Sequence, residues 1–161
     1  MNAIELLIKQ HRSLEALLSQ TLKEKNKENI TQLFSKAGDE LTVHIASEEQ
    51  VFYPAVKNVR TEDILLESLE EHLSLKRLLA DLVALNPEET TFEPKLKVLT
   101  EQAEHHHKEE EEHLFPKVKK LLNAEQLDAL GEEMMNLQKS LIQQGSARKK
   151  VVGETTEAFS L

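Results

Sequence analysis

The chain has no cysteine and no tryptophan, and aromatic residues make up only 4% of its 161 residues. The absence of cysteine excludes disulfides, thiolate metal sites and a cysteine nucleophile, so any metal must bind nitrogen and oxygen ligands. Four glycines and four prolines leave few positions for the turns that a sheet-rich fold requires. The remaining composition is rich in Leu, Glu, Lys and Gln, which lose little entropy in a helix. The sequence therefore predicts an all-α protein.

The chain also has no long apolar run, and its charge is strongly acidic. A formal net charge of -9 opposes binding to nucleic-acid phosphates and to anionic lipid. Residues 1–9 lack the pattern of a signal peptide, and no stretch approaches the roughly 18 apolar residues of a membrane span. We therefore expect a cytoplasmic protein that binds neither nucleic acid nor a membrane.

Apolar residues recur with helical spacing in four long segments that are joined by short polar stretches. Pro54 and Pro116 lie late in two of these segments and predict a kink or an early end. The helices are predicted at about residues 2–23, 31–59, 61–85 and 95–121, with a shorter fifth helix from Asn123 to Leu141. Such helices bury their apolar faces most simply as an up-down-up-down four-helix bundle. The predicted units are the bundle (1–122), an added helix (123–145) and a loose tail (146–161).

Each predicted bundle helix carries one histidine on its apolar face. A single such histidine is usually a core residue, but four on four facing helices indicate a site. Two of the helices add a glutamate one turn later, and a buried carboxylate is costly unless it is paired or bound to a metal. The candidate metal ligands are His11, His44, Glu48, His72, His106 and Glu110.

An internal repeat strengthens this prediction. The pattern His-x3-Glu-Glu-x2-apolar-aromatic-Pro-x-Val-Lys begins at His44 and recurs 62 residues later at His106. The segment around His11 recurs 61 residues later around His72. The chain is therefore predicted to be two similar helical hairpins, related by an approximate two-fold axis that joins two His-His-Glu half-sites into a site for two metals.

Three further histidines lie near His106 in the sequence. His105 and His107 point about 100° to either side of it on a regular helix, so we expect them in solvent or behind the ligands. His113 lies one heptad after His106, at the repeat position of Val51, and is expected to line the core above the site.

The ligand types limit the metal. Imidazole with carboxylate suits iron, manganese or zinc, and two carboxylates that can bridge favour a pair of redox-active ions. We therefore expect two iron ions, with manganese or zinc as the alternatives.

The doubled His-x3-Glu motif and its following aromatic-Pro resemble the hemerythrin-like, or HHE cation-binding, family over about residues 2–120. This resemblance implies a four-helix bundle with a non-haem di-iron centre. It makes the four histidines terminal ligands and Glu48 and Glu110 bridges between the irons. An oxo or hydroxo bridge and about one open position on each iron are also implied.

Two positions distinguish this chain within the resemblance. The oxygen carriers of the family have a further histidine where this sequence has Lys76, and the remaining ligand set is more similar to that of bacterial di-iron proteins that respond to nitric oxide. Glu15 holds the position equivalent to Lys76, and both are hypothesised to lie behind the ligands. Tyr53, the single tyrosine, is expected to pack between helices.

Three classes of function follow. The first is reversible binding of O2 or NO for storage, scavenging or sensing. The second is an oxidoreductase or repair protein that removes NO or peroxide or donates iron to damaged centres. The third is an iron store or a structural metal site. Residue types leave these open, because access, hydrogen bonds around the ligands and redox potential decide between them.

Overall fold

The computed structural model describes residues 1–161 and is helical throughout its regular structure, which confirms the predicted all-α bundle. The two hairpins of the bundle are α1 with α2 and α4 with α5, and α1 also packs against α5. The helices are α1 (Ala3–Lys23), α2 (Lys27–Ser47), α3 (Tyr53–Val56), α4 (Glu62–Ala84), α5 (Phe92–Glu109), α6 (Phe115–Leu121) and α7 (Ala124–Gln143). Two π-helical turns, Glu48–Phe52 and Glu110–Leu114, join α2 to α3 and α5 to α6, and a 3₁₀ helix covers Ala147–Gly153.

Asparagine side chains begin three of the helices. Asn123 and Gln126 form a capping box at the start of α7, which begins where the fifth helix was predicted. Helix α2 begins one turn before the predicted start at Thr31, because Asn26 accepts a hydrogen bond from the backbone of Asn29. The Thr31 hydroxyl instead donates to the carbonyl of Lys27, inside the helix.

The two late prolines follow the π-helical turns. Pro54 and Pro116 are each the second residue of the short helix after the turn. A proline ring clashes with the carbonyl four residues earlier in a regular helix, and the wider π-helical turn removes that clash. Each turn also adds one residue to its helix, so the face that a later side chain occupies differs from the face predicted for a regular helix.

The core consists of two apolar clusters at opposite ends of the bundle. The first includes Leu14, Leu41 and Leu79. The second includes Leu7, Phe52, Leu65, Phe115 and Met134. Between them lies a polar layer, because each helix carries its histidine where its apolar residues pass from one cluster to the other.

The C-terminal segment packs on the bundle, so the prediction of a loose tail is wrong for it. Ala147 and Val151 are buried, and Val151 joins the first apolar cluster. Arg148 makes a salt bridge with Asp39 at 3.0 Å, and Phe159 packs against the second cluster. No helix combines the length and hydrophobicity needed to cross a bilayer.

Candidate metal centre

Six ionisable side chains meet between the two apolar clusters, and they come from the four long helices of the bundle and the π-helical turns that continue two of them. Helices α1, α2, α4 and α5 each supply one histidine, and each π-helical turn begins with one carboxylate. All six are at most 2% exposed, and they are the predicted set: His11, His44, Glu48, His72, His106 and Glu110. The structure therefore brings all the predicted ligands into one buried place.

Glu48 lies between a histidine of each hairpin. Its Oε1 atom is 3.4 Å from Nε2 of His44 and 3.2 Å from Nε2 of His72. Because the carboxylate is fully buried, both of its oxygens are confined to this layer. Glu48 can therefore serve two ligand groups at once.

Glu110 repeats this arrangement on the other side. Its Oε1 atom is 3.3 Å from Nε2 of His11 and 3.3 Å from Nε2 of His106. We name the pair His11 and His44 the first position and the pair His72 and His106 the second position. Each carboxylate thus contacts one histidine of each position through a single oxygen. The atoms of the first position lie within 4.8 Å of one another and of both glutamates.

Carboxylates hold the outer nitrogens of two histidines. Nδ1 of His72 donates to Glu49 at 3.0 Å, and Nδ1 of His11 donates to Glu111 at 2.8 Å. Glu49 and Glu111 directly follow Glu48 and Glu110 and hold equivalent positions in the repeat. Such outer partners fix the tautomer and orientation of a metal-binding imidazole.

The other two histidines, His44 and His106, donate hydrogen bonds to side chains that come directly before His11 and His72 in the sequence. Nδ1 of His44 donates to Gln10, and Nδ1 of His106 donates to Glu71, both at 2.9 Å. Gln10 directly precedes His11 and Glu71 directly precedes His72. All four histidines therefore turn Nε2 inward, and the surrounding hydrogen bonds follow the same two-fold symmetry as the ligands.

The inward atoms fit a metal. Nε2 of His11 and His44, both oxygens of Glu48 and Oε1 of Glu110 are buried and have no hydrogen-bond partner. A buried polar atom without a partner costs roughly 1–3 kcal/mol, and a charged one costs more. Divalent cations between these atoms would satisfy all of them, so the donor set fits a metal pair.

The two carboxylates have opposite protonation preferences in the metal-free site. Burial, followed by the charge of Glu110, raises the pKa of Glu48 well above its usual range. Burial acts in the same direction on Glu110, but His106 and His11 outweigh it and hold the pKa of Glu110 well below its usual range. The pair therefore carries one proton that a bridging cation would displace.

The histidines of the second position also share a proton. Their Nε2 atoms are only 3.0 Å apart, so one of the two must carry hydrogen when no cation lies between them. Burial lowers the pKa of His72, whereas Glu110 and Glu71 outweigh the effect of burial and raise the pKa of His106. His106 is therefore the protonated partner, and metal binding requires it to lose that proton.

Tyr53 reaches the site from α3. Its hydroxyl donates to Oε2 of Glu110 at 2.8 Å and lies 3.3 Å from Nε2 of His72, on whose ring it stacks. Burial raises its pKa well above the usual range, so the phenol stays protonated. The side chain packs between helices, as predicted, and its hydroxyl adds a hydrogen bond to the site.

The hypothesised positions behind the ligands have different outcomes. Lys76 is buried and binds Glu49 at 2.8 Å, so it contacts the carboxylate that holds His72. Glu15 accepts a hydrogen bond from His107 at 3.1 Å. The placement of His113 in the core is wrong, since its side chain is 57% exposed. The π-helical turn adds a residue before it, and Leu114 takes the buried place.

The two histidines that flank His106 take the two different placements that were predicted for them. His105 lies in solvent, but His107 is 1% exposed and stacks on His11 with ring centroids 3.9 Å apart. Helix α5 contacts α4 on one side and α1 on the other, so two consecutive histidines both face the polar layer.

Sequence reasoning also missed the side chains that hold the four histidines. A signal for them existed, because Gln10 and Glu71 occupy equivalent positions in the repeat, as do Glu49 and Glu111. All four are next to a predicted ligand in the sequence.

Comparisons with known proteins agree with this geometry. The family model for the hemerythrin HHE cation-binding domain matches residues 2–118. The crystal structure of a hemerythrin HHE cation-binding domain-containing protein from Mycobacterium kansasii superposes with a TM-score of 0.78 at 23% identity. The match covers 94% of this chain and 99% of that chain, which shows a common fold.

A DNA nickase from Nostoc sp. is 28% identical over 144 residues, which is 89% of this chain. The matched region is 41% of the relative, so this chain spans less than half of that protein's length. The family model covers most of the chain, and its cation-binding description agrees with the buried His and Glu clusters. The chain belongs to the hemerythrin HHE cation-binding domain family.

Proposed function

We propose that this chain is a non-haem di-iron protein that binds a small diatomic ligand, O2 or NO. The observation that carries the proposal is the pair of histidine positions spanned by two buried carboxylates whose inward atoms have no protein partner. Mixed imidazole and carboxylate donors suit iron, and bridging carboxylates favour a metal pair. Such an iron pair supplies reversible redox chemistry toward small gases.

His11 and His44 would hold one ion, His72 and His106 the other, and Glu48 and Glu110 would bridge them. Each ion would then have about four protein ligands, which leaves room for an external ligand on a six-coordinate ion. The apolar clusters above and below the site exclude bulk water from it.

The size of the site favours a ligand of a few atoms. The six residues are packed too tightly for an organic substrate, since none is more than 2% exposed. A cavity of about 70 Å³ reaches Glu49 and Lys76, directly behind His72. None of the six candidate ligands lines this cavity, so it lies outside the buried cluster.

Peroxide breakdown is a second candidate, favoured by Tyr53. A protonated phenol 2.8 Å from a bridging carboxylate can donate and recover a proton at that oxygen. Peroxide disproportionation needs no external reductant, because one peroxide molecule is oxidised to O2 while the other is reduced to water. Tyr53→Phe is expected to slow peroxide turnover at least about tenfold and to leave iron content unchanged. Equal turnover by the variant would remove this candidate.

The DNA-cutting activity in the name of the Nostoc relative is not part of this proposal. The chain spans less than half of that protein. The net charge of this chain, -9, also opposes contact with a phosphate backbone.

The deciding experiment is to measure iron per chain after anaerobic purification, then to record the ultraviolet and visible spectrum before and after O2 and after NO. We expect about two irons per chain and charge-transfer bands that change reversibly with the gas. Irreversible oxidation with turnover would support the peroxide candidate instead. A protein with no iron, or with a single zinc, would overturn the di-iron proposal.

A further inference from the structure

The two-fold symmetry of the site fails at one pair of contacting residues. In the repeat, His107 is equivalent to Ile45 and Glu15 is equivalent to Lys76. Ile45 is an ordinary member of the first apolar cluster, and Lys76 binds Glu49 rather than a histidine. On the other side, His107 donates from Nδ1 to Glu15 at 3.1 Å. A histidine and the carboxylate that holds it thus replace an isoleucine and a lysine together.

His107 shares three features with the four predicted ligands. It is 1% exposed, its Nδ1 is held by a side-chain oxygen, and its Nε2 is buried with no hydrogen-bond partner. A histidine with a purely structural role in a core normally has both nitrogens satisfied. The free nitrogen is therefore unexplained by packing.

His107 lies beside the first position. One of its ring nitrogens lies within 4.8 Å of a ring nitrogen of His11 and of His44, and Nε2 is the ring nitrogen that Glu15 leaves free. Three nitrogens this close need small side-chain rotations to reach the roughly 2.1 Å of metal–imidazole bonds around one ion. The His11 and His107 rings are nearly parallel, at 9°, so His107 would tilt toward the ion on binding.

We propose that His107 is a fifth histidine ligand that completes the first position together with His11 and His44. The inference rests on the proposed function and makes the centre asymmetric, with three histidines on one ion and two on the other. The first ion then has one open position fewer than the second. An external ligand therefore binds at the second position, beside Tyr53 and His72.

The test uses His107→Ile, which installs the residue that the repeat has at position 45. The matched control is His105→Ala, because His105 is the neighbouring exposed histidine. In the wild type loaded with ⁵⁷Fe, Mössbauer spectra are expected to show two distinct iron sites in equal amounts. His107→Ile is expected to bind one iron at least about tenfold more weakly and to lose the spectral difference between the sites, while His105→Ala matches the wild type.

Folding is measured separately by chemical unfolding of the metal-free proteins. Isoleucine removes an unpartnered polar atom from the core, so metal-free His107→Ile is expected to be at least as stable as the wild type. Two irons bound by His107→Ile with wild-type affinity and spectra would overturn the fifth ligand and leave the di-iron proposal intact. A wild type that binds no iron would instead overturn the proposed function.

Discussion

Glu49 joins two buried groups that differ in kind, since one of its oxygens accepts from Nδ1 of His72 at 3.0 Å and the other binds Nζ of Lys76 at 2.8 Å. The salt bridge keeps the carboxylate ionised, and burial, which alone would raise its pKa, is outweighed by these two partners. An ionised carboxylate makes the His72 imidazole a stronger electron donor at Nε2. Lys76, at the place where oxygen carriers have another histidine, therefore contributes to the site through Glu49.

Removing this carboxylate is expected to weaken metal binding and folding together. Glu49→Ala leaves His72 without its outer partner, which typically costs 10–100-fold in metal affinity. It also leaves the buried Lys76 with only the half-exposed Glu154, for a loss of about 3 kcal/mol in the free energy of unfolding. Competition with a chelator and urea unfolding measure the two effects.

Glu111→Ala is the symmetric comparison. It removes the outer partner of His11, so a similar loss of metal affinity is expected. Its other partner, Arg12, is 54% exposed, and exposed ion pairs contribute only about 0–1 kcal/mol. A stability loss as large as that of Glu49→Ala would show that Lys76 is not the reason for the larger effect.

Replacing a bridging carboxylate is expected to change metal binding and metal-free stability in opposite directions. Glu48→Gln keeps the shape of the side chain but removes the negative charge, so the protein should lose half or more of its iron. The raised pKa of Glu48 means that its ionisation at neutral pH opposes folding of the metal-free protein. Metal-free Glu48→Gln should therefore be more stable by about 1 kcal/mol at pH 8, as measured by urea unfolding. Full retention of two irons would contradict the bridging role.

The sequence predicted which six side chains meet in the buried cluster because the repeat carried the information. His44 and His106, each followed by a glutamate four residues later, could be recognised without coordinates. The register with the first hairpin fixed the choice among the three consecutive histidines of the second. Long amphipathic helices with short connections allow few arrangements other than a bundle. The pairing of the two half-sites follows from that arrangement.

The missed features have two physical causes. The π-helical turn after Glu110 adds a residue, so the heptad prediction for His113 pointed to the wrong face. Helix α5 also packs between α1 and α4, so the projection of a single helix could not choose for His107 between solvent and a place behind the ligands.

The metal-free protein is expected to lose stability as the pH falls below about 6.5. Burial lowers the pKa values of His44, His72 and His107, so the unfolded chain takes up protons there that the folded chain does not. Glu48 has the opposite effect on the slope. Its raised pKa keeps it protonated in the folded chain, so the folded chain binds one proton there that the unfolded chain has lost. The difference favours folding as the pH rises toward 6.5, by at least about 1.4 kcal/mol per pH unit.

Urea unfolding of chelator-treated protein at several pH values measures this slope. His107→Ile removes one of the three buried histidines and should make the slope shallower. Above pH 6.5 the slope changes sign. The pKa values of His106 and Glu48 are raised in the folded protein, so the protein loses stability as the pH rises through these values. A flat profile between pH 5 and 6.5 would mean that these histidines are not buried in the neutral form. Iron in the loaded protein should also be released on acidification, since protons compete for the same nitrogens and oxygens.

Two adjacent valines test whether the C-terminal segment stabilises the bundle. Val151 is 1% exposed and belongs to the first apolar cluster, whereas Val152 is 57% exposed. Val151→Ala removes two buried methyl groups and is expected to lower the free energy of unfolding by about 1–2 kcal/mol. Val152→Ala should change it by less than about 0.5 kcal/mol, because surface substitutions rarely do more. Equal small effects in thermal or urea unfolding would mean that the segment detaches from α2 and α4 in solution, and a loss confined to Val151→Ala would place it in the folded unit.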